Sequence, residues 1–143
     1  GLMRLRRKGS DEEVRIVMVA TDRSETAERA VRFAAEMAER YEAELLVLRV
    51  LVGTAVSRAD AVPELEEYVG TLPGERKRAA VVSGEDPSDA IVEAARREKA
   101  DVLVVGSVGM SGRREFLLHN VPNRVSHNAP CTVVIVNTHR EDA

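Results

Sequence analysis

Apolar positions along this chain come in two rhythms. Five short runs are dense in Val, Ile and Leu: Arg15–Ala20, Glu44–Val52, Arg76–Val82, Val102–Val105 and Thr132–Val136. Their brevity and β-branched content predict strands. Val102–Val105 and RIVMVA at 15–20 are apolar almost throughout, the pattern of strands buried on both faces. Arg76–Val82 alternates more and carries Lys77 and Arg78, which predicts a place nearer a sheet edge.

Between the strands the period changes to that of a helix. From Glu25 to Tyr41, apolar Ala27, Ala30, Val31, Ala34, Met37, Ala38 and Tyr41 recur at helical spacing, with Arg29, Arg32, Glu36 and Glu39 on the other side. Ser24 is placed to cap that helix. Asp86-Pro87-Ser88-Asp89 supplies an N-cap, a proline at the first helical position and an acid in the first turn. Arg96, Arg97 and Lys99 close that helix with the sign its dipole prefers, and Ala90, Ile91, Ala94 and Ala95 form its stripe. Asn120-Val121-Pro122 marks a third helix start, with Asn as N-cap. Gly53–Gly74 is the least regular segment, and predicts only a short acidic helix around Glu64–Val69 between Pro63 and Pro73. Strands alternating with helices predict a doubly wound α/β domain with right-handed crossovers.

The 143 residues suit one domain with its own core. A hydrophobic content of 44% beside 31% charge excludes a disordered chain. A net charge of −3 without a broad basic face argues against nucleic acid as a partner. No apolar run approaches the roughly 20 residues that span a bilayer. No signal-peptide core is present, so no membrane partner and a cytoplasmic location are expected. The single Cys131 excludes an internal disulfide and reads as a small buried hydrophobe. Trp and Gln are absent while Glu and Arg abound, a lean toward a heat-adapted source. Residues 1–13 read as a flexible tail, Gly1-Leu2 having the look of a tag remnant, and the domain is expected over 14–139.

Candidate chemistry gathers near the fourth strand. Gly106 and Gly109 follow it and precede a helix start, so unpaired backbone N–H groups and a helix dipole can meet an anion there. A tight βα turn accounts for the two glycines equally well. Arg113 and Arg114 lie in the same loop. Ser107 has no identifiable base partner, so catalysis has no support. His119 and His127 lack a carboxylate or Cys at metal-ligand spacing.

Three segments together resemble the universal stress protein family, over about Val14 to Asn137. Val19-Ala20-Thr21-Asp22-Arg23-Ser24 is similar to the family's V-A-x-D-x-S. Gly106-Ser107-Val108-Gly109, nine residues, then His119-Asn120 aligns with its G-x2-G-x9-G-[ST]. Asn128-Ala129-Pro130-Cys131-Thr132-Val133-Val134-Ile135-Val136 resembles its A-P-C-P-V-L-V-V ending. The resemblance implies a three-layer domain of the adenine nucleotide alpha hydrolase-like type, with a five-stranded parallel sheet in the order 3-2-1-4-5. Ligands of such sheets bind where the winding reverses, between strands 1 and 4. It further implies that ATP or AMP, with Mg²⁺, sits against Ala20, Thr21, Asp22 and Val50 at its base end. Its phosphates would lie against Gly106, Gly109, Arg113, His119 and Asn120. Here the family's last glycine is His119 and its Ser/Thr is Asn120. A bulky His crowds a phosphate loop, or contacts the phosphate itself. Two readings follow: a nucleotide-binding regulatory protein acting on an unknown protein partner, or an interaction module of the same fold blocked by His119. Both imply a homodimer through Thr132–Val136, with no catalytic residue.

Overall fold

The computed structural model describes residues 13–107 and 121–138. Five parallel strands, β1 (Ile16–Thr21), β2 (Glu44–Leu51), β3 (Lys77–Ser83), β4 (Val102–Gly106) and β5 (Thr132–Val136), form one sheet in the order β3-β2-β1-β4-β5. Among the described residues four helices connect them: α1 (Ala27–Tyr41), α2 (Arg58–Gly70), α3 (Pro87–Glu98) and α4 (Val121–Asn128). The predicted α/β class, strand order and doubly wound winding all stand.

Because side chains alternate across a strand, the sheet feeds two cores. On one face Val17, Val19, Leu45, Val47, Val81, Val102 and Val104 pack under α1 and α2. On the other Met18, Leu46, Leu48, Leu103 and Val105 pack under α3 and α4. The central strands β1, β2 and β4 therefore have both faces buried, as their unbroken apolar runs require. Asp101 fastens the amino ends together: its Oδ2 accepts the backbone N–H groups of Arg15 and Ile16, each at 2.9 Å.

The cap of α3 holds where the sequence signalled it, and Asn120, the cap expected for α4, lies outside the described residues. Asp86 Oδ1 accepts from the backbone N–H of Ser88 at 2.8 Å, with Pro87 at the first helical position of α3. Lys99 is the αL residue that ends this helix, at φ 59°, rather than part of its last turn. At α1 the helix proper starts at Ala27, two residues later than expected. Ser24 Oγ accepts from Ala27 N–H at 3.2 Å, so Ser24 closes the turn before the helix.

The segment expected to be mostly irregular holds α2, 13 residues long with Pro63 inside it. Ser57 Oγ accepts from Asp60 N–H at 3.1 Å and starts the helix. Pro63 removes one N–H whose acceptor would be the Ala59 carbonyl in the first turn, a local loss. Ala61, Leu65 and Val69, all buried at four-residue spacing, fix the helix to the sheet. Tertiary burial outweighs the proline.

Candidate functional site

The ladder between β1 and β4 stops before either strand does. The two pair from Val17↔Val102 to Val19↔Val104. Beyond that point β1 continues beside β2 alone, to Thr21↔Arg49. Likewise β4 continues beside β5 alone, to Gly106↔Val136. The sheet thus parts at its carboxyl rim, between Ala20–Thr21 on one side and Val105–Gly106 on the other. This is the switch point, because β2 and β3 wind one way from β1 while β4 and β5 wind the other. Facing strand edges without a ladder partner leave backbone groups for a ligand or for water.

The β1 lip is a stiff turn. Asp22 Oδ1 accepts from Ser24 N–H at 2.8 Å, and Thr21 Oγ1 accepts from Arg23 N–H at 2.9 Å. These two bonds bracket Arg23, which holds φ at 64°, a conformation rare for a side chain of this size. The Asp22 carboxylate is half-buried and uses one oxygen in the turn. Its other oxygen remains available as an acceptor.

Outside the lip, a polar chain ties it to α2. The Arg23 guanidinium lies 3.6 Å from the centre of the Tyr68 ring and 3.1 Å from Glu64 Oε2. Arg49, at the end of β2, reaches the other Glu64 oxygen at 3.6 Å. Tyr68 donates its hydroxyl to Glu28 on α1 at 2.5 Å. Burial, then the bond to Glu28 and its charge, push the Tyr68 phenol well above its usual range. None of Arg23, Arg49, Glu64 or Tyr68 was expected at the site from the sequence. Two of them lie on α2, whose period Pro63 interrupts, and the pattern of the chain carried no signal for the others.

The predicted site residues separate by face. Ala20 and Val50 are half-buried on the α3/α4 side; Ala20 pairs with Leu48, and Val50 lies two residues further along β2 on the same face. Thr21 is buried with its hydroxyl engaged in the lip turn. Gly106 stands across the opening, and its φ is not in the left-handed region. What crowds a side chain there is Thr138: a Cβ at Gly106 would lie 3.0 Å from Thr138 Cγ2, a tight contact. Thr138 is wholly buried, and its N–H donates to Ser107 Oγ at 3.2 Å. The expected turn therefore becomes a close approach between the end of β4 and the chain leaving β5. Gly109, Arg113, His119 and Asn120 lie outside the described residues.

A cavity of about 500 Å³ lies at the opposite, amino end of the sheet, lined by residues including Ala35, Glu39, Leu45 and Arg76. It shares no lining residue with the crevice. Among the described residues no cluster of His, Cys, Asp and Glu could hold a metal. No helix among them is long and apolar enough to cross a membrane. Cys131 is half-buried rather than fully buried, and burial pushes its thiol up, away from a reactive thiolate.

A parallel sheet in the order β3-β2-β1-β4-β5, with helices on both faces, defines a doubly wound α/β protein. The universal stress protein family matches residues 13–137, and the chain belongs to that family. A universal stress protein of Mycobacterium tuberculosis is 34% identical, over 85% of this chain and 95% of its own. A crystal structure of a universal stress protein in complex with cAMP superposes with a TM-score of 0.71 at 31% identity, covering 89% of this chain and 99% of that one. The universal stress protein of Archaeoglobus fulgidus in complex with dAMP superposes with a TM-score of 0.64 at 25% identity, covering 85% and 96%.

Proposed function

We propose that this protein is a cytoplasmic regulatory protein that binds an adenine nucleotide, ATP or AMP with Mg²⁺, in the crevice between β1 and β4. The observation that carries the reading is the parting of the ladder after Val19↔Val104, with the Asp22 carboxylate on its lip. Asp22 holds one oxygen rigidly against Ser24 and turns the other to accept from an exocyclic adenine amine. Val50 and Ala20, both half-buried and apolar, form the wall against which the base lies. Backbone N–H groups at the Gly106 end and the N-terminus of α4 favour the phosphates. Relatives solved with cAMP and dAMP support an adenosine ligand class. The protein works by occupancy rather than turnover: nucleotide binding alters the surface that an effector protein reads. It acts as a homodimer that pairs through β5.

Calorimetric titration with ATP and Mg²⁺, after removal of co-purified nucleotide, tests this. Micromolar binding that weakens at least tenfold in Asp22→Ala is the expected result. No heat from protein shown to be nucleotide-free overturns it. Binding that appears only in His119→Gly would make the protein an interaction module whose phosphate gate is closed.

A further inference from the structure

The lip of the crevice turns on Arg23. Its φ of 64° is easy for glycine and rare for a long side chain, and such a conformation persists only where the surroundings hold it. Two bonds across the turn depend on it. The Arg23 N–H donates to Thr21 Oγ1 at 2.9 Å, and the Ser24 N–H that follows donates to Asp22 Oδ1 at 2.8 Å. Relaxation of Arg23 to a negative φ would carry the Ser24 N–H away from Asp22 and release the carboxylate to rotate.

The hold on Arg23 comes from its side chain. Nε and Nη2 both donate to Glu64 Oε2, at 3.2 and 3.1 Å, and the guanidinium lies 3.6 Å from the centre of the Tyr68 ring. Both partners are themselves held. Arg49 of β2 stands 3.6 Å from the second Glu64 oxygen. Glu28 of α1 accepts the Tyr68 hydroxyl with one oxygen and bonds Arg32 at 2.9 Å with the other. A lone exposed ion pair contributes little. Here the Arg23 side chain keeps only 26% of its surface exposed and Arg49 18%, and the Arg23 cation lies over an aromatic face. Fastening α2 does not require this anchor, because Ala61, Leu65 and Val69 already bury the helix against the sheet.

We infer that Arg23 is a positioning residue for the base: anchored on Glu64 and Tyr68, it locks the turn that presents the second Asp22 oxygen to an adenine amine. It thereby sets a preference for adenine over hypoxanthine. This inference rests on the nucleotide reading proposed above and adds to it the residues that make Asp22 selective. The Arg23 side chain is turned toward α2 and acts through the backbone, by keeping the Ser24 N–H on one carboxylate oxygen so that the other stays fixed in direction. A rigid acceptor rewards a donor placed opposite it and rejects a carbonyl, whose lone pairs would face the carboxylate without a proton between them. A carboxylate free to rotate gives up most of that discrimination.

Calorimetric titration of the full chain with ATP and with ITP, whose base carries a carbonyl oxygen in place of the amine, tests this. The wild type is expected to prefer ATP at least tenfold. Arg23→Gly adopts the same φ without strain and removes only the anchor, while Glu64→Gln weakens the anchor from the other side. In both, the preference should fall at least fivefold through loss of ATP affinity, with ITP affinity within twofold of the wild type. Arg23→Lys, which keeps a cation over Tyr68, should retain most of the preference. Without ligand, the Ser24 N–H should exchange with deuterium at least fivefold faster in Arg23→Gly and Glu64→Gln. Undiminished preference in those two variants, an equal loss for both nucleotides, or unchanged Ser24 exchange overturns the inference and leaves nucleotide binding standing. A wild type that binds ATP and ITP alike removes the adenine contact of Asp22 and the inference with it. A wild type that binds neither overturns both readings.

Discussion

The two outer strands of this sheet differ more than any other pair of regions in the molecule. At the β3 edge cations are held by neighbours. Arg78 bonds Glu44 at 2.9 Å and Glu98 at 3.0 Å, and Lys77 donates to the Leu72 carbonyl. Burial alone would lower the Arg78 pKa, but the bonds to Glu98 and Glu44 outweigh it and the net direction is upward. Arg58 on α2 donates to the Val81 carbonyl at 2.5 Å, so a helix is tied onto the strand as well. The β5 edge reads Thr-Val-Val-Ile-Val, without a charge, and Ile135 is 46% exposed. Charge and a covering helix keep strands from associating, and an apolar, uncovered edge invites it. One sheet thus carries a charged, helix-tied edge and an apolar one without charge.

The largest effect should come from loosening the protected side. Leu65 is wholly buried under α2, and Leu65→Ala should cost about 2–5 kcal/mol in urea unfolding. A loss below 1 kcal/mol would mean that α2 is not what shields β3. Next in size is the β5 edge, where the homodimer proposed above would pair. Val134→Pro should convert that proposed dimer to monomer by light scattering, since proline cannot serve a central ladder. A dimer unchanged in mass would place the contact elsewhere.

A smaller effect is expected where β5 passes the crevice. Gly106→Ala sets a methyl against Thr138 and should cost about 1–3 kcal/mol. Thr138→Ala in the same chain should recover part of that loss, and a strictly additive double mutant would show that the two do not touch. The smallest effect concerns the polar chain beside β3. Tyr68→Phe should cost about 0.5–1.5 kcal/mol at neutral pH. The raised Tyr68 pKa means that the fold prefers the neutral phenol. Its contribution is complete below the ordinary tyrosine value of about 10 and is lost as pH climbs beyond it. The alkaline fall in melting temperature should therefore be shallower in Tyr68→Phe than in the wild type.

Where local chemistry decides structure, the chain announced it. The cap of α3 follows from Asp86 and Pro87, whose preferences act within one turn. The bounds of β5 coincide with an apolar run between Cys131 and Asn137, and the edge position of β3 follows from Lys77 and Arg78. The sheet order became readable through three segments that resemble one family, and the structure bears that order out. The crevice was legible as a place, because strand ends and winding direction define it.

The rest depended on contacts between residues far apart in the chain, which no local pattern encodes. Pro63 argues against a helix until Ala61, Leu65 and Val69 find the sheet, and burial then outweighs one missing hydrogen bond. Gly106 reads as a turn residue, yet its constraint is a buried Thr138 that lies 32 positions later. Arg23 and Arg49 look like ordinary surface charges until α2 brings Glu64 and Tyr68 beside them. The periodicity of α1 marks Met37 and Tyr41 as core, yet the helix leaves Tyr41 51% and the neighbouring Phe33 42% exposed. The sequence by itself determined the five strands, α1, α3 and the alternation that makes the sheet doubly wound, because propensity and periodicity act within a few residues. Only the tertiary structure decided which side chains meet at the lip of the crevice and which apolar flank stays open, because those outcomes depend on what the fold brings alongside.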